Sequence, residues 1–345
     1  MQVFHSPAHA GHHSRHVMRL GCPSPGRDVP QRVDAILDAL RLAGHVIGPA
    51  ARHGLQPIAD VHTPEYLDFL RTAWREWRQL DGASEEVFAN IFPVRGLGDG
   101  YPTSVVGRAG YHMHDQLAPI GEHTWEAAVA AANLAVEAAH RVLLGERVAY
   151  ALCRPSGHHA YADMGGGATY LNNAAIAAQY LRRKLRRVAL VDVDVHHGNG
   201  SQGIFYRRDD VFFVSLHRDP ADYHPYFAGY AHERGDGAGR GYTLNLPLPA
   251  GADDTAYLAT LDIALARIST FAPEALVVSL GVDGHEADPS AGLALTFDGF
   301  RRIGTRLASL GLPTVLIQEG GYNTATIGRC VADFLGGFEG KETTP

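Results

Sequence analysis

Cysteine is scarce in this 345-residue chain: only Cys22, Cys153 and Cys330, with no CxxC pair. That excludes a disulfide framework and a cysteine-rich zinc module, and fits a reducing, cytoplasmic setting. No apolar run approaches the roughly 20 residues that span a bilayer. The opening MQVFHSPAHAGHH lacks a basic segment followed by an apolar one, so no signal peptide is expected. Basic charge is not in excess either. Lys plus Arg number 30 against 37 Asp plus Glu, a net charge of −7. Nucleic acid and anionic membrane are therefore excluded as main partners, and the balance suits a cationic small molecule. Repeats, low-complexity tracts and linkers are absent, so residues 1–345 read as a single domain.

Histidine, in contrast, is abundant, with 20 residues, and hydrophobic residues make up 46% of the chain. Five of the histidines fall in His5–His16, a polar stretch read as a solvated loop, because no carboxylate or Cys completes a metal site there. Apolar spacing predicts strands at Gln2–His5, Val148–Cys153, Val188 onward, Val211–Leu216, Tyr242–Leu246, Ala275–Leu280 and Thr314–Ile317. Helices are expected at Pro30–Ala43, Thr63–Trp77, Thr124–Leu144, Asn172–Leu185, Ser201–Arg207, Asp253–Phe271, Phe297–Leu310 and Ile327–Phe338. Strands alternating with helices imply an α/β fold in three layers, a mainly parallel sheet covered on both faces. Gln79–Gly121 shows little periodicity, and a connection this long is usually functional or an interface.

The informative stretch is VALVDVDVHHGNG, Val188–Gly200. Side chains alternate along a strand, so Asp192, Asp194 and His196 share one side and Val191, Val193 and Val195 the other. Buried carboxylates are costly unless paired or metal-bound. Three other strands also run into polar clusters: Gly157-His158-His159, Asp283, and Glu319-Gly320-Gly321-Tyr322. In a parallel sheet these C-terminal ends share one edge, where open α/β folds place their sites. Asp194, His196 and Asp283 would give three ligands and an open position, the arrangement of catalytic zinc. His158 and His159 supply acid–base groups. Tyr322 supplies a hydrogen-bond donor for a developing oxyanion.

At these residues the chain resembles the zinc-dependent histone deacetylase family, in its class II-like branch, and within it the bacterial acetylpolyamine amidohydrolases. The matching segments are HTPEY, RPSGHHA, LNNAAIAA, DVDVHHGNGSQGIF, VSLH, SLGVDGHEADP and EGGY. The resemblance implies the arginase/deacetylase fold with an eight-stranded sheet and one Zn²⁺ per subunit on Asp194, His196 and Asp283. It makes His158 and His159 the catalytic pair, with Asp192 and Asn199 beside them and Tyr322 opposite. It implies a structural K⁺ at Asp192, Asp194, His196, Ser215 and Leu216, and a second monovalent ion at Phe205, Arg208, Val211 and Tyr242. Substrate contacts map to Asp115, Gly167, Ala168, His224, Tyr226 and Gly320. Asp115 would hold a distant ammonium, and residues 79–121 would build a homodimer that narrows the mouth of the site. The chain departs from the family where an aromatic wall is expected: Ala168 stands at one wall and His224 at or near the other, giving a wider, more polar channel. The implied activity is removal of acetyl from a cationic small molecule such as an acetylpolyamine. A bulkier amide, acetyl-lysine, or ligand binding without catalysis are the alternatives.

Overall fold

A computed structural model describes residues 1–94 and 100–341. Its strands are β1 Gln2–Phe4, β2 His16–Arg19, β3 Cys22–Pro25, β4 Val46–Gly48, β5 Val148–Ala151, β6 Val188–Asp192, β7 Val211–Arg218, β8 Thr243–Leu248, β9 Ala275–Leu280 and β10 Thr314–Gln318. Its helices are α1 Gln31–Leu42, α2 Gln56–Ala59, α3 Pro64–Trp77, α4 Val105–His112, α5 Thr124–Leu143, α6 Asn173–Arg182, α7 Asn199–Phe205, α8 Asp254–Phe271, α9 Phe297–Ala308 and α10 Ile327–Glu339. Eight strands form one sheet in the order β4-β1-β5-β10-β9-β6-β7-β8, and every pairing within it is parallel. The polar strand ends anticipated from sequence belong to β5, β10, β9 and β6, which are consecutive in that order. Their C-terminal ends therefore open onto one short arc of the sheet edge.

Strand alternation separates two cores. Ala189 and Val191 of β6 join Phe212, Val278 and Leu316 under α1, α8, α9 and α10. Val188 and Leu190 join Phe213, Val277 and Ile317 under α5 and α6. Both faces being covered explains why β6 is buried throughout and reads as a continuous apolar run. Truncating such a side chain, as in Leu190→Ala, costs about 2–5 kcal/mol. A third cluster joins Tyr66, Phe69 and Trp77 of α3 to Ala109 of α4 and to Ala128, Ala132 and Val136 on the outer side of α5. Thr63 caps α3 by accepting from Tyr66 N at 3.4 Å.

Two expectations change. The segment His5–His16 is not a solvated loop: it contains a 3-10 turn at Pro7–Gly11, and His9 and His12 are buried. The His12 ring sits edge-on to Tyr170, with its Nδ1 3.1 Å from Thr124 Oγ1. Neutral imidazole packs there as a small aromatic. Residues 79–121 also hold structure, the helix α4, capped by Ser104 Oγ accepting from Val106 N. Gly107 and Gly110 hide its periodicity. Gly110 is required by the packing, since a Cβ there would fall 1.6 Å from Ile91 O. The β2–β3 hairpin carried no strand signal because prolines fill β3 and its tip, Leu20-Gly21, takes positive φ at both residues.

Burial pulls His12, His62 and His217 down to about 4. A folded pKa below the free value of 6.5 means the native state binds fewer protons. The contribution is complete above pH 6.5 and is lost as pH falls through 4, about 3 kcal/mol per histidine. His62 Nε2 accepts from Asn172 N at 2.9 Å, and Nδ1 faces Ala162 O at 3.3 Å. A glutamine offers the same acceptor and donor. His62→Gln should therefore show a shallower fall in melting temperature between pH 6.5 and 4 than the parent protein, measured by calorimetry. Equal slopes would contradict this account.

Candidate active site

β6 ends at Asp192 and the chain bends over Asp194–His196, yet the side chains keep their alternation. Val193 and Val195 remain in the core, while Asp194 and His196 turn to the other side. Asp283 arrives from the loop after β9. His196 Nδ1 lies 3.1 Å from Asp194 Oδ1 and 3.1 Å from Asp283 Oδ2. Ligand atoms of Asp194, His196 and Asp283 all lie within 4.8 Å of one another. Two glycines make room for this cluster: a Cβ on Gly320 would fall 2.3 Å from Asp283 Oδ2, and one on Gly281 would fall 2.0 Å from Asp194 Oδ2. Gly320 N also donates to Asp194 Oδ2 at 2.8 Å.

The cluster is electrostatically unfinished. Asp283 Oδ2 is buried and accepts no hydrogen bond. Burial, and next the charge of Asp194, push the Asp283 carboxyl well above the usual carboxylate range. Two buried carboxylates and an imidazole with an orphaned oxygen fit a divalent cation, which would remove that repulsion.

The loop after β5 brings in the histidine pair. Gly157 N and His158 N donate to Glu319 Oε2 at 2.7 and 3.2 Å, pinning the loop to the end of β10. His158 Nδ1 is 2.9 Å from Asp192 Oδ2. His159 Nδ1 is 2.6 Å from Asn199 Oδ1, whose amide nitrogen donates to Tyr161 Oη at 3.2 Å. Both Nδ1 atoms are thus engaged; His158 Nε2 faces Asp194 Oδ1 at 3.9 Å, and His159 Nε2 is left for the cavity. The two rings, 4.0 Å apart, titrate in opposite directions. Burial opposes charge on both. At His158 the carboxylates of Asp192 and Asp194 outweigh it and push the pKa to about 10. His159 has a neutral amide for a partner. Burial, then the charges of His158, His224 and His196, hold it well below its ordinary value. One dipeptide so presents a cationic and a neutral imidazole side by side.

Tyr322 enters from the turn after β10. Its backbone N–H donates to Asp288 Oδ2 at 2.7 Å, and Asn323 N donates to the same oxygen at 3.1 Å. Asp288 also accepts from Ser290 N at 2.9 Å. Gly321 takes a φ of 129°, and a Cβ there would fall 2.7 Å from Val282 Cγ2, so the turn before Tyr322 needs glycine. Arg32 lies 4.9 Å over the Tyr322 ring and donates to the carbonyls of Gly321 and Glu319. Burial and the Asp283 charge raise the phenol well above its usual value, so it remains an O–H donor. His159, His196 and Tyr322 line one cavity of about 210 Å³.

The histone deacetylase domain family matches residues 27–338 of this chain. An acetylpolyamine amidohydrolase of Burkholderia pseudomallei is 43% identical over 344 residues, covering 98% of both chains. One from Mycoplana ramosa is 43% identical over 343 residues, covering 99% of this chain and all of that one, 100%. A crystal structure of acetylpolyamine aminohydrolase from Burkholderia pseudomallei superposes with a TM-score of 0.95 at 44% identity, over 98% of each chain. The chain belongs to the histone deacetylase family. Its eight-stranded parallel sheet is the arginase/deacetylase fold.

Beyond the polar cluster, this deacetylase-family cavity is walled by Gly167, Ala168, Tyr223, His224 and Tyr226. Ala168 adopts positive φ, 62°, and offers only a methyl group. The His224 ring stands edge-on both to His159, at 4.8 Å, and to His196, at 5.8 Å. Tyr223 stacks on His196 at 5.1 Å and donates to Ser290 O at 2.8 Å. Tyr226 lines the mouth, whereas Phe227 is 81% exposed.

Asp115 departs from its expected role. It does not line the cavity. Its Oδ1 accepts from Leu117 N and its Oδ2 from Gly167 N, both at 2.8 Å, and Oδ2 lies 3.5 Å from His224 Nε2. It is a buckle behind both wall residues rather than a free carboxylate at the rim. Asp115→Ala should loosen Gly167 and His224 together and raise KM about tenfold, the effect of one charge-assisted hydrogen bond. Unchanged steady-state KM would contradict that role.

At the positions that resemblance assigns to monovalent ions, Asp192 pairs in register with Ser215, and Ser215 Oγ lies 2.8 Å from His217 Nδ1. Leu216 follows on β7. Phe205, Arg208, Val211 and Tyr242 gather where α7 passes into β7: Arg208 N donates to Phe205 O, and Phe213 N to Tyr242 O, both at 3.0 Å. The Arg208 guanidinium pairs with Asp210 at 2.8 Å. The sequence assigns no role to Asp288, or to Glu319 beyond its place in a polar cluster, because their partners are backbone groups far away in the chain. It also assigns none to Arg19 and Arg27, which line the cavity from a hairpin without periodicity.

Proposed function

We propose that this chain is a zinc-dependent amidohydrolase that removes acetyl from acetylpolyamines, releasing acetate and free amine. The observation that carries the reading is the meeting of the Asp194–His196–Asp283 cluster, the neutral His159 and the protonated Tyr322 around one cavity. The names of the relatives supply the substrate class.

Zinc bound by Asp194, His196 and Asp283 would polarise the amide carbonyl and acidify water. His159, free at Nε2, takes the proton of the attacking water. Tyr322 donates its O–H to the oxyanion as it develops. His158, kept cationic by Asp192, stabilises negative charge beside the reacting carbon. The proton collected on His159 then passes to the leaving nitrogen. The face of Tyr226 gives an ammonium a place along the wall.

K⁺ at Asp192, Asp194, His196, Ser215 and Leu216 would hold the end of β6 against β7. Ile91, Phe92, Val94 and Tyr101 are exposed apolar side chains within residues 79–121, a composition that supports a homodimer formed by that segment. Buried, unpaired Cys153 and Cys330 are consistent with a reducing cytoplasm.

The test is turnover of the zinc-loaded protein on acetylputrescine, acetylcadaverine, acetylspermidine and an acetyl-lysine reporter. Polyamine turnover is the expected result. Activity on the reporter alone would discard the polyamine substrate, and inactivity on all four would discard the enzyme.

A further inference from the structure

We infer that Arg19 and Arg27 form an anion subsite at the edge of the catalytic cavity, and that the chain also hydrolyses acetyl amides whose far end is a carboxylate. This rests on the amidohydrolase reading and adds a substrate class to it.

Arg19 closes β2 and Arg27 follows β3, so the hairpin delivers both side chains to the cavity that holds Tyr322. Arg19 Nε is buried and has no hydrogen-bond partner. Arg27 spends one donor on Pro289 O at 2.9 Å. Burial, then the like charge of Arg27, lowers the Arg19 pKa, so the two guanidiniums feel each other. Such an arrangement is unfavourable unless an anion completes it.

No free carboxylate among the described lining residues does so. Asp28, the acid on this cavity, holds Arg32 and Arg154 through Oδ1, with Arg154 Nε at 3.0 Å, and its Oδ2 is buried 3.8 Å from His12 Nε2 with no ion pair to Arg19 or Arg27. Asp115 is turned to backbone behind the wall. The other titratable side chains on the cavity are those of His159, His196, His224, Tyr223, Tyr226 and Tyr322, none of them a carboxylate. A guanidinium fork takes a carboxylate through two parallel hydrogen bonds, whereas an ammonium at this edge would meet two like charges. The reaction is unchanged: water oxygen joins the carbonyl carbon, the C–N bond breaks, the nitrogen takes the proton, and acetate leaves an ω-amino acid.

The experiment compares 6-acetamidohexanoate, N-acetylcadaverine and N-pentylacetamide, which share one acetamide and five carbons beyond it. The zinc-loaded full chain is assayed at low and high salt as the parent, Arg19→Gln, Arg27→Gln and Arg19→Glu proteins, with thermal melts to verify folding. The acid should exceed the neutral amide in kcat/KM by about tenfold at low salt, the effect of a charge-assisted bond. That ratio should fall with salt and in both Gln variants. Arg19→Glu should move preference toward N-acetylcadaverine. An acid turned over no faster than the neutral amide, or ratios that ignore both Gln substitutions, would overturn the subsite. If none of the three is hydrolysed, the amidohydrolase reading fails separately. Calorimetric titration with 6-acetamidohexanoate then decides the subsite: weaker binding in Arg19→Gln supports it, and equal or absent binding rejects it.

Discussion

Tyr322→Phe is expected to lower kcat by about two to three orders of magnitude, with KM changed by less than about threefold. The substitution removes one oxygen and little else. The position of the side chain is set by its backbone, through the bond from Tyr322 N to Asp288 at 2.7 Å. The ring packs under Arg32 at 4.9 Å, and a Phe ring fills that space equally well. The effect should therefore fall on charge that appears only during the reaction. The phenol suits this task because burial and Asp283 keep it protonated. A tyrosinate would repel an oxyanion. A loss spread equally over KM would show that Tyr322 binds the ground state instead. A change of less than tenfold would leave the oxyanion without this donor and shift the argument to the metal cluster. Zinc content measured on the same sample separates a lost hydroxyl from a lost ion.

The readable parts of this protein are those in which one local rule is enough. Period-2 alternation places Asp194 and His196 together and Val193 and Val195 in the opposite core, although the regular strand has ended at Asp192. Parallel topology puts the ends of β5, β10, β9 and β6 on one edge. Thr63 and Asp253 reveal themselves as helix caps. What escapes is set by partners distant in sequence. Nothing around Asp115 tells that both its oxygens will be filled by Leu117 and Gly167. His12 looks solvated until Thr124 and Tyr170 enclose it. The Leu20-Gly21 tip has no standard turn signature, so the hairpin that carries Arg19 to the cavity is silent in the sequence.

His159→Ala should cost about two to four orders of magnitude in kcat, and His158→Ala less, with a different pH profile. The asymmetry comes from their partners. Asp192 faces His158 with a carboxyl group at 2.9 Å, and together with Asp194 it pushes that ring up to about 10, which makes it the poorer proton acceptor of the two. Asn199 gives His159 only an amide oxygen at 2.6 Å, which fixes the ring without charging it. A base must be neutral before the reaction, and His159 meets that condition. Asn199→Asp is the sharper probe. It sets a carboxylate against His159 Nδ1, raises the pKa of that ring, and should move the acid limb of kcat/KM to higher pH. Activity just below neutral pH would then fall while the alkaline plateau persists. An acid limb unmoved by Asn199→Asp but displaced by Asp192→Asn would exchange the two roles and make His158 the base.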